Sequence, residues 1–296
     1  MQQIHWFPGH MAKARRQMQE VIKRVDVVLE LVDARLPLAS SNPLIAELAG
    51  SKPRVQILTR IDLADEKQTS AWEKYFQESG YSCLPVDAKS GKGIQRLLPL
   101  LETILKDKRL RDAKRGIRPR PFRAMVAGIP NVGKSSFINR MARKASTKTG
   151  DRPGVTKTQQ WIRLGEIELL DTPGVLWPKL DNQVAAHKLA VSGAIKSDIL
   201  DAQELAAFFI VWAGNHYPSA LLDRYQVTAP IGVQWTSAGE VWSEVEPVLE
   251  AIAEKRGLLG GRGVMDLERA ASLVVRELQT GQLGRMSLEW PSELGV

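Results

Sequence analysis

Two nucleotide-binding strings stand in an unusual order in this chain, and that order limits its fold more than any other feature. Gly128-Ile129-Pro130-Asn131-Val132-Gly133-Lys134-Ser135 follows an apolar run and precedes a helical pattern. That is the context in which GxxxxGK[ST] forms a phosphate-binding loop. Thr59-Arg60-Ile61-Asp62 ends an earlier apolar run and has the form of a guanine-reading loop, with Asp62 as its carboxylate. In guanine-nucleotide domains the phosphate loop ordinarily comes first. Here the order is base, phosphate loop, then the segments around Thr156 and Asp171-Thr172-Pro173-Gly174. One domain can hold all four only if its chain is circularly permuted. Permutation relocates the ends, so the two nucleotide-sensing segments lead directly into whatever follows them.

The patterning fits such a domain. Apolar runs at 26–32, 54–58, 83–86 and 122–127 read as buried parallel strands, and shorter ones at 161–164 and 167–170 complete a sheet. Helical stretches are expected at 11–24, 65–79, 94–106 and 133–143. Strands alternating with helices predict an α/β, doubly wound, mostly parallel sheet, and the nucleotide-binding strings make it resemble a circularly permuted Ras-like P-loop GTPase domain. Between the permuted halves lies a splice, residues 106–123, with nine Lys/Arg and two Pro. It is either a solvated connector or an RNA contact. Beyond Pro178 the pattern becomes helical, at 184–192, 202–217, 243–255 and 265–279. The expected domains are therefore 1–178, the permuted nucleotide domain, and 179–296, a small all-α domain.

Charge divides along the same line. The overall +8 is the sum of +13 over residues 1–178 and −5 over 179–296. A basic field of that size suits a polyanion such as RNA. The single cysteine, Cys83, excludes an internal disulfide and agrees with a reducing cytoplasm. No signal peptide is expected at the N-terminus, and no apolar stretch reaches the ~20 residues of a membrane span.

Each motif implies a specific chemistry. Backbone amides of the loop, through Asn131, Val132 and Gly133 to Ser135 and Ser136, face the phosphates at a positive helix terminus. Lys134 bridges the β- and γ-phosphates, and the Ser135 hydroxyl ligates Mg²⁺. Asp171 holds the Mg²⁺ water shell, the Gly174 amide senses the γ-phosphate, and Thr156 completes the metal shell when GTP is bound. Asp62 accepts two hydrogen bonds from the N1–H and 2-amino group of guanine, donors that adenine lacks. Asp87-Ala88-Lys89, after the next strand, is placed to contact guanine O6 through a backbone amide.

Together, His5-Trp6-Phe7-Pro8-Gly9-His10-Met11, Val32-Asp33-Ala34-Arg35, the phosphate loop, Thr149-Gly-Asp-Arg-Pro-Gly-Val-Thr156 and Asp171-Thr-Pro-Gly-Val-Leu-Trp-Pro178 resemble the circularly permuted ribosome-assembly GTPases of the RbgA (YlqF) type. The resemblance implies a cytoplasmic, monomeric enzyme that hydrolyses GTP to GDP. Its implied partner is the maturing large ribosomal subunit, through rRNA and ribosomal proteins. Val175 stands where Ras-like enzymes place a water-orienting Gln, and the resemblance nominates His10 for that task. It also implies that Asn131 helps hold a K⁺ near the phosphates.

Three positions depart from the family. Thr59-Arg60 replaces Asn-Lys; Arg60 keeps an aliphatic stem beside the base, but Thr59 lacks the amide that ties this motif to the phosphate loop. Weakened guanine affinity is expected, with preference kept by Asp62. Asp87 replaces a small polar residue. Two other function classes stay open at this point: a nucleotide-binding scaffold with little hydrolysis, and a P-loop kinase acting on a small molecule.

Overall fold

The computed structural model describes residues 15–16, 18–149, 161–172, 182–195 and 201–294. Its chain forms two compact units. One comprises the chain up to Leu180 together with the stretch from Glu289 onward; the other is Asp181–Leu288.

The first unit is built on a six-stranded sheet: β1 (Val27–Asp33), β2 (Arg54–Thr59), β3 (Ser82–Pro85), β4 (Phe122–Gly128), β5 (Trp161–Leu164) and β6 (Ile167–Asp171). Their spatial order is β3-β2-β1-β4-β6-β5, and only β5 runs antiparallel to its neighbour. The phosphate-loop strand, fourth in sequence, thus sits inside the sheet beside β1, as permutation requires. All seven residues of β1 are buried, which is why VVLELVD reads as a nearly continuous apolar run. The five parallel strands deliver Asp33, Thr59, Pro85, Gly128 and Asp171 to one edge of the sheet, where α/β ligand sites form.

The helices of this unit are α1 (Pro37–Ser40), α2 (Pro43–Ala49), α3 (Glu66–Glu78), α4 (Leu97–Ile104), α5 (Lys106–Lys114) and α6 (Lys134–Thr149). Asp65 caps α3 through its side chain, and α3 buries Trp72 and Phe76 against Val32, Leu58 and Cys83. On the same face Met18, Val21 and Ile22 pack with Val28, Ile45 and Met125 in a second cluster. The splice is not all irregular, since its first half is α5, a helix with no buried residue.

The second unit holds α7 (Gln183–Val191), α8 (Ala202–His216), α9 (Ser219–Tyr225), α10 (Ala238–Lys255) and α11 (Leu267–Thr280). Helix α8, capped by Asp201, is buried along most of its length and forms the centre of the unit. Arg224 grips Glu277 with two bonds of 2.7 Å, and the Tyr225 hydroxyl donates to the same carboxylate, joining α9 to α11. Helix α10 begins five residues earlier than the pattern suggests, because Ser237 caps it and Pro247 is accommodated inside it.

Residues from Glu289 onward, expected within the helical domain, group instead with the first unit. The reason is polar. The Glu289 carboxylate accepts from the amides of Leu38 (2.7 Å) and Ala39 (3.0 Å) at the start of α1, a helix with no capping side chain of its own. Its carbonyl accepts from the buried Trp72 indole at 3.0 Å.

Candidate functional site

At the phosphate end, strand, loop and helix are contiguous. β4 runs into the loop at Gly128, where an added Cβ would lie 2.6 Å from the Leu31 carbonyl, so only glycine fits between the two strands. Gly133, at φ +103°, turns the backbone into α6. Asn131 also has positive φ, 53°, a conformation its short amide tolerates. Lys134 Nζ donates to the carbonyls of Ile129 (2.8 Å) and Gly128 (3.2 Å). Burial brings its ammonium down to about 8, a shift that the Asp171 carboxylate opposes. Burial likewise raises Asp171, whose ionised form Lys134 and the Thr172 amide favour. Asp171 Oδ1 is buried and has no hydrogen-bond partner among the described residues. A buried carboxylate oxygen in that condition, facing a lysine at a phosphate loop, suits the hydration shell of a divalent cation.

At the base end the site is assembled from separate loops. Asp62 lies past the end of β2, and Lys89 Nζ sits 2.5 Å from its Oδ2. The Asp87 carboxylate accepts from the Lys89 amide at 2.7 Å, and hydrogen bonds from Ser90 and Lys89 more than offset the burial that would raise its pKa. Asp87 thus folds the turn over Ala88, which is the task of the small polar residue it replaces.

Thr59 changes the expectation drawn from its sequence. Its Oγ1 donates to Val132 O at 2.6 Å and lies 3.0 Å from Val32 O. Arg60 Nη2 donates to Asn131 O at 2.6 Å. The tie between base-reading and phosphate loops, expected to be lost with the missing amide, is therefore made twice, by a hydroxyl and a guanidinium. Behind it lies a buried hub. Arg35 holds Asp33 through Nε (3.0 Å) and Nη2 (2.8 Å), and Arg60 Nε approaches the same carboxylate at 3.8 Å. Burial would raise the Asp33 pKa, but the two guanidiniums hold it below the usual carboxylate range. Sequence reasoning used Asp33 and Arg35 only as a signature; their role as the support of Arg60 is visible only in space.

The fold therefore brings together Thr59, Arg60, Asp62, Ala88, Lys89, the loop from Asn131 to Ser136, and Asp171 at one edge of the sheet. His10, Thr156 and Gly174 lie outside the described residues.

A permuted P-loop domain with a guanine-reading end and a phosphate end defines a GTP-hydrolysing, GTP-binding protein. Comparison with known proteins narrows the class. A family described as 50S ribosome-binding GTPase matches residues 123–216. Ribosome biogenesis GTPase A of Bacillus cereus is 46% identical over 293 residues, covering 99% of this chain and 95% of that one. Two solved structures of YlqF, one GDP-bound and one GNP-bound from Thermotoga maritima, are similar at TM-scores of 0.65 and 0.63. Each is 28% identical over 94% of this chain, spanning 100% and 98% of theirs. The chain belongs to the ribosome biogenesis GTPase A family.

Proposed function

We propose that this GTPase binds the maturing large (50S) ribosomal subunit in its GTP state and leaves after hydrolysis. The observation that carries this reading is the intact two-ended nucleotide site, set in a unit whose residues 1–178 carry a net charge of +13. Within the site, Ser135 and Thr156 would ligate Mg²⁺ and Asp171 would hold its waters; the unpartnered Asp171 oxygen supports that assignment. The ion would neutralise charge on the β- and γ-phosphates. Asn131 would contribute an oxygen to K⁺, and turnover should then be faster in K⁺ than in Na⁺ at matched ionic strength. Lys134 draws charge from the γ-phosphate, the Gly174 amide senses it, and His10 orients the attacking water that Val175 cannot. The protein would act as a cytoplasmic monomer, and among the described residues no helix is long and apolar enough to cross a membrane.

The test is GTP turnover with and without isolated large subunits. Stimulation supports the reading; nucleotide binding without turnover would favour a scaffold, and phosphate transfer to a small acceptor a kinase. His10→Ala should leave GTP affinity intact and cut stimulated turnover by the ~10²–10⁴-fold that follows loss of a positioned acid–base group. Wild-type stimulated turnover in that variant would make His10 structural.

A further inference from the structure

The segment that splices the permuted halves also builds a cavity of about 400 Å³ between α5 and the start of β4. That volume lies in the range of roughly 300–1,000 Å³ that accepts a small ligand or one residue of a polymer. Buried Phe122 and Leu105 line it, and Leu110 and Ile117 border it with 53% and 48% of their surface exposed. The Arg109 guanidinium lies 3.8 Å from the centroid of the Phe122 ring. It keeps 44% of its side chain in solvent, and its ion pair among the described residues is a long contact of 3.9 Å to Glu166.

The charges around this hollow are unequal. Two of its three acids are neutralised internally: Arg120 grips Asp26 with two bonds of 2.8 Å, and Lys108 bridges Asp26 and Asp112 at 3.2 and 2.5 Å. Lys106 and Arg118 on the rim, with Arg111, Lys114 and Arg115 on or beside α5, form no ion pair among the described residues. An apolar hollow, a planar cation at its wall and unmatched cations around it complement one kind of group: a flat ring with negative charge on either side. An unpaired nucleotide has that form, because its base stacks on guanidinium planes and its phosphates meet Lys and Arg. Duplex RNA keeps its bases inside. An aromatic peptide would fill the hollow but leave the cations unmatched.

We infer that the cavity receives one unstacked base of a single-stranded or bulged RNA, stacked on Arg109, with its phosphates on α5 and Arg118. The assembly role proposed above supplies the RNA, and the inference rests on that reading to this extent. Phe122 opens β4, the strand that ends in the phosphate loop at Gly128, so RNA held here bears on the element that carries the nucleotide.

The full chain is titrated with three labelled RNAs of equal length: a single strand with 2-aminopurine at its centre, the same strand with abasic sites there, and a duplex. The single strand should bind about 10-fold tighter than the other two, the gain expected from stacking one base, and its fluorescence should be quenched. Ile117→Asp, an exposed change, should abolish the advantage without altering GTP affinity. Arg109→Lys keeps the charge but not the plane, and should lose the advantage while keeping the salt dependence. Equal binding of all three RNAs overturns the inference, as does an undiminished advantage in both variants or displacement of the RNA by an aromatic peptide. Binding to isolated large subunits is measured in parallel. Its absence, with the preference for unpaired RNA intact, would remove the assembly role and leave the cavity; the reverse pattern would remove the cavity alone.

Discussion

The two ends of the nucleotide site are held by different means. At the phosphate end one continuous strand, loop and helix presents backbone amides, and its conformation is set by glycines at 128 and 133. At the base end, side chains from β2 and from the loop after it are fastened to the phosphate loop across more than seventy residues of sequence, and Lys89 from the turn after β3 pairs with Asp62. Backbone recognition depends on conformation and tolerates many side chains. Side-chain fastening depends on which atoms reach which, and it can be rebuilt with different residues. That difference explains how Thr59-Arg60 can stand where the family usually has Asn-Lys and still join the two loops.

If the base end is held from behind by the Asp33 hub, the largest effect should come from Arg35. Its side chain and that of Asp33 are each 1% exposed. Arg35→Met would leave a buried carboxylate with the backbone amide of residue 35 and the more distant Arg60 as its one cation, a class of change that costs about 3–5 kcal/mol. A fall in the urea midpoint of roughly 1 M or more is expected at ordinary denaturant sensitivities. A variant as stable as the parent would show that the hub is not a support, and the contrast between the two ends would weaken.

The next effect concerns recognition alone. Asp62→Asn places an amide donor opposite guanine's donors and removes two charge-assisted bonds, each worth about 1.5–3 kcal/mol. GTP affinity should fall by on the order of 10²-fold, and XTP, whose 2-oxo group accepts, should be preferred. Fold stability should hold, because Asp62 lies in front of the hub and not in it. Unchanged GTP and XTP affinities would remove Asp62 from the base end.

The same contrast decides what could be read from the chain. The phosphate end was legible because its signature is local: glycine spacing, Lys134 and Ser135 lie within eight residues between a strand and a helix. The sheet was legible because strands buried on both faces leave long apolar runs. The ties of the base end were not, because nothing in TRID says that the Thr59 hydroxyl will lie 2.6 Å from Val132 O. Helices α1 and α2 are too short to show periodicity, and proline opens each. Glu289 caps α1 from a position 251 residues from Leu38, a distance at which no local pattern exists. The half of the splice that became α5 read only as a charge run, since no face of it is buried.

A third variant tests the tie itself. Thr59→Val keeps the shape and removes the hydroxyl, leaving the buried Val132 carbonyl short of a donor. The loss of about 1 kcal/mol typical of one such bond should weaken GTP and GDP equally, by roughly 5–10-fold. The ratio of GTP to XTP affinity should not move, which separates this variant from Asp62→Asn. Thr59→Ser should restore binding. Failure of that rescue would mean that the hydroxyl alone does not align the loops and that the methyl group is needed beside it.

The smallest effect is expected at Lys89, and it sharpens the comparison most. At the phosphate end Lys134 is half-buried and donates to the loop it serves. At the base end Lys89 pairs with the carboxylate that must read guanine, yet its side chain is 76% exposed. An exposed pair contributes about 0–1 kcal/mol, weakened further by salt. A carboxylate also has lone pairs enough to accept from guanine and an ammonium together. Lys89→Met should therefore change GTP affinity by no more than roughly 5-fold, and the change should vanish as salt is raised from low to moderate concentration. A much larger, salt-independent loss would mean that the ammonium takes part in holding the base, giving the base end a half-buried cation of its own and erasing the distinction between the two ends.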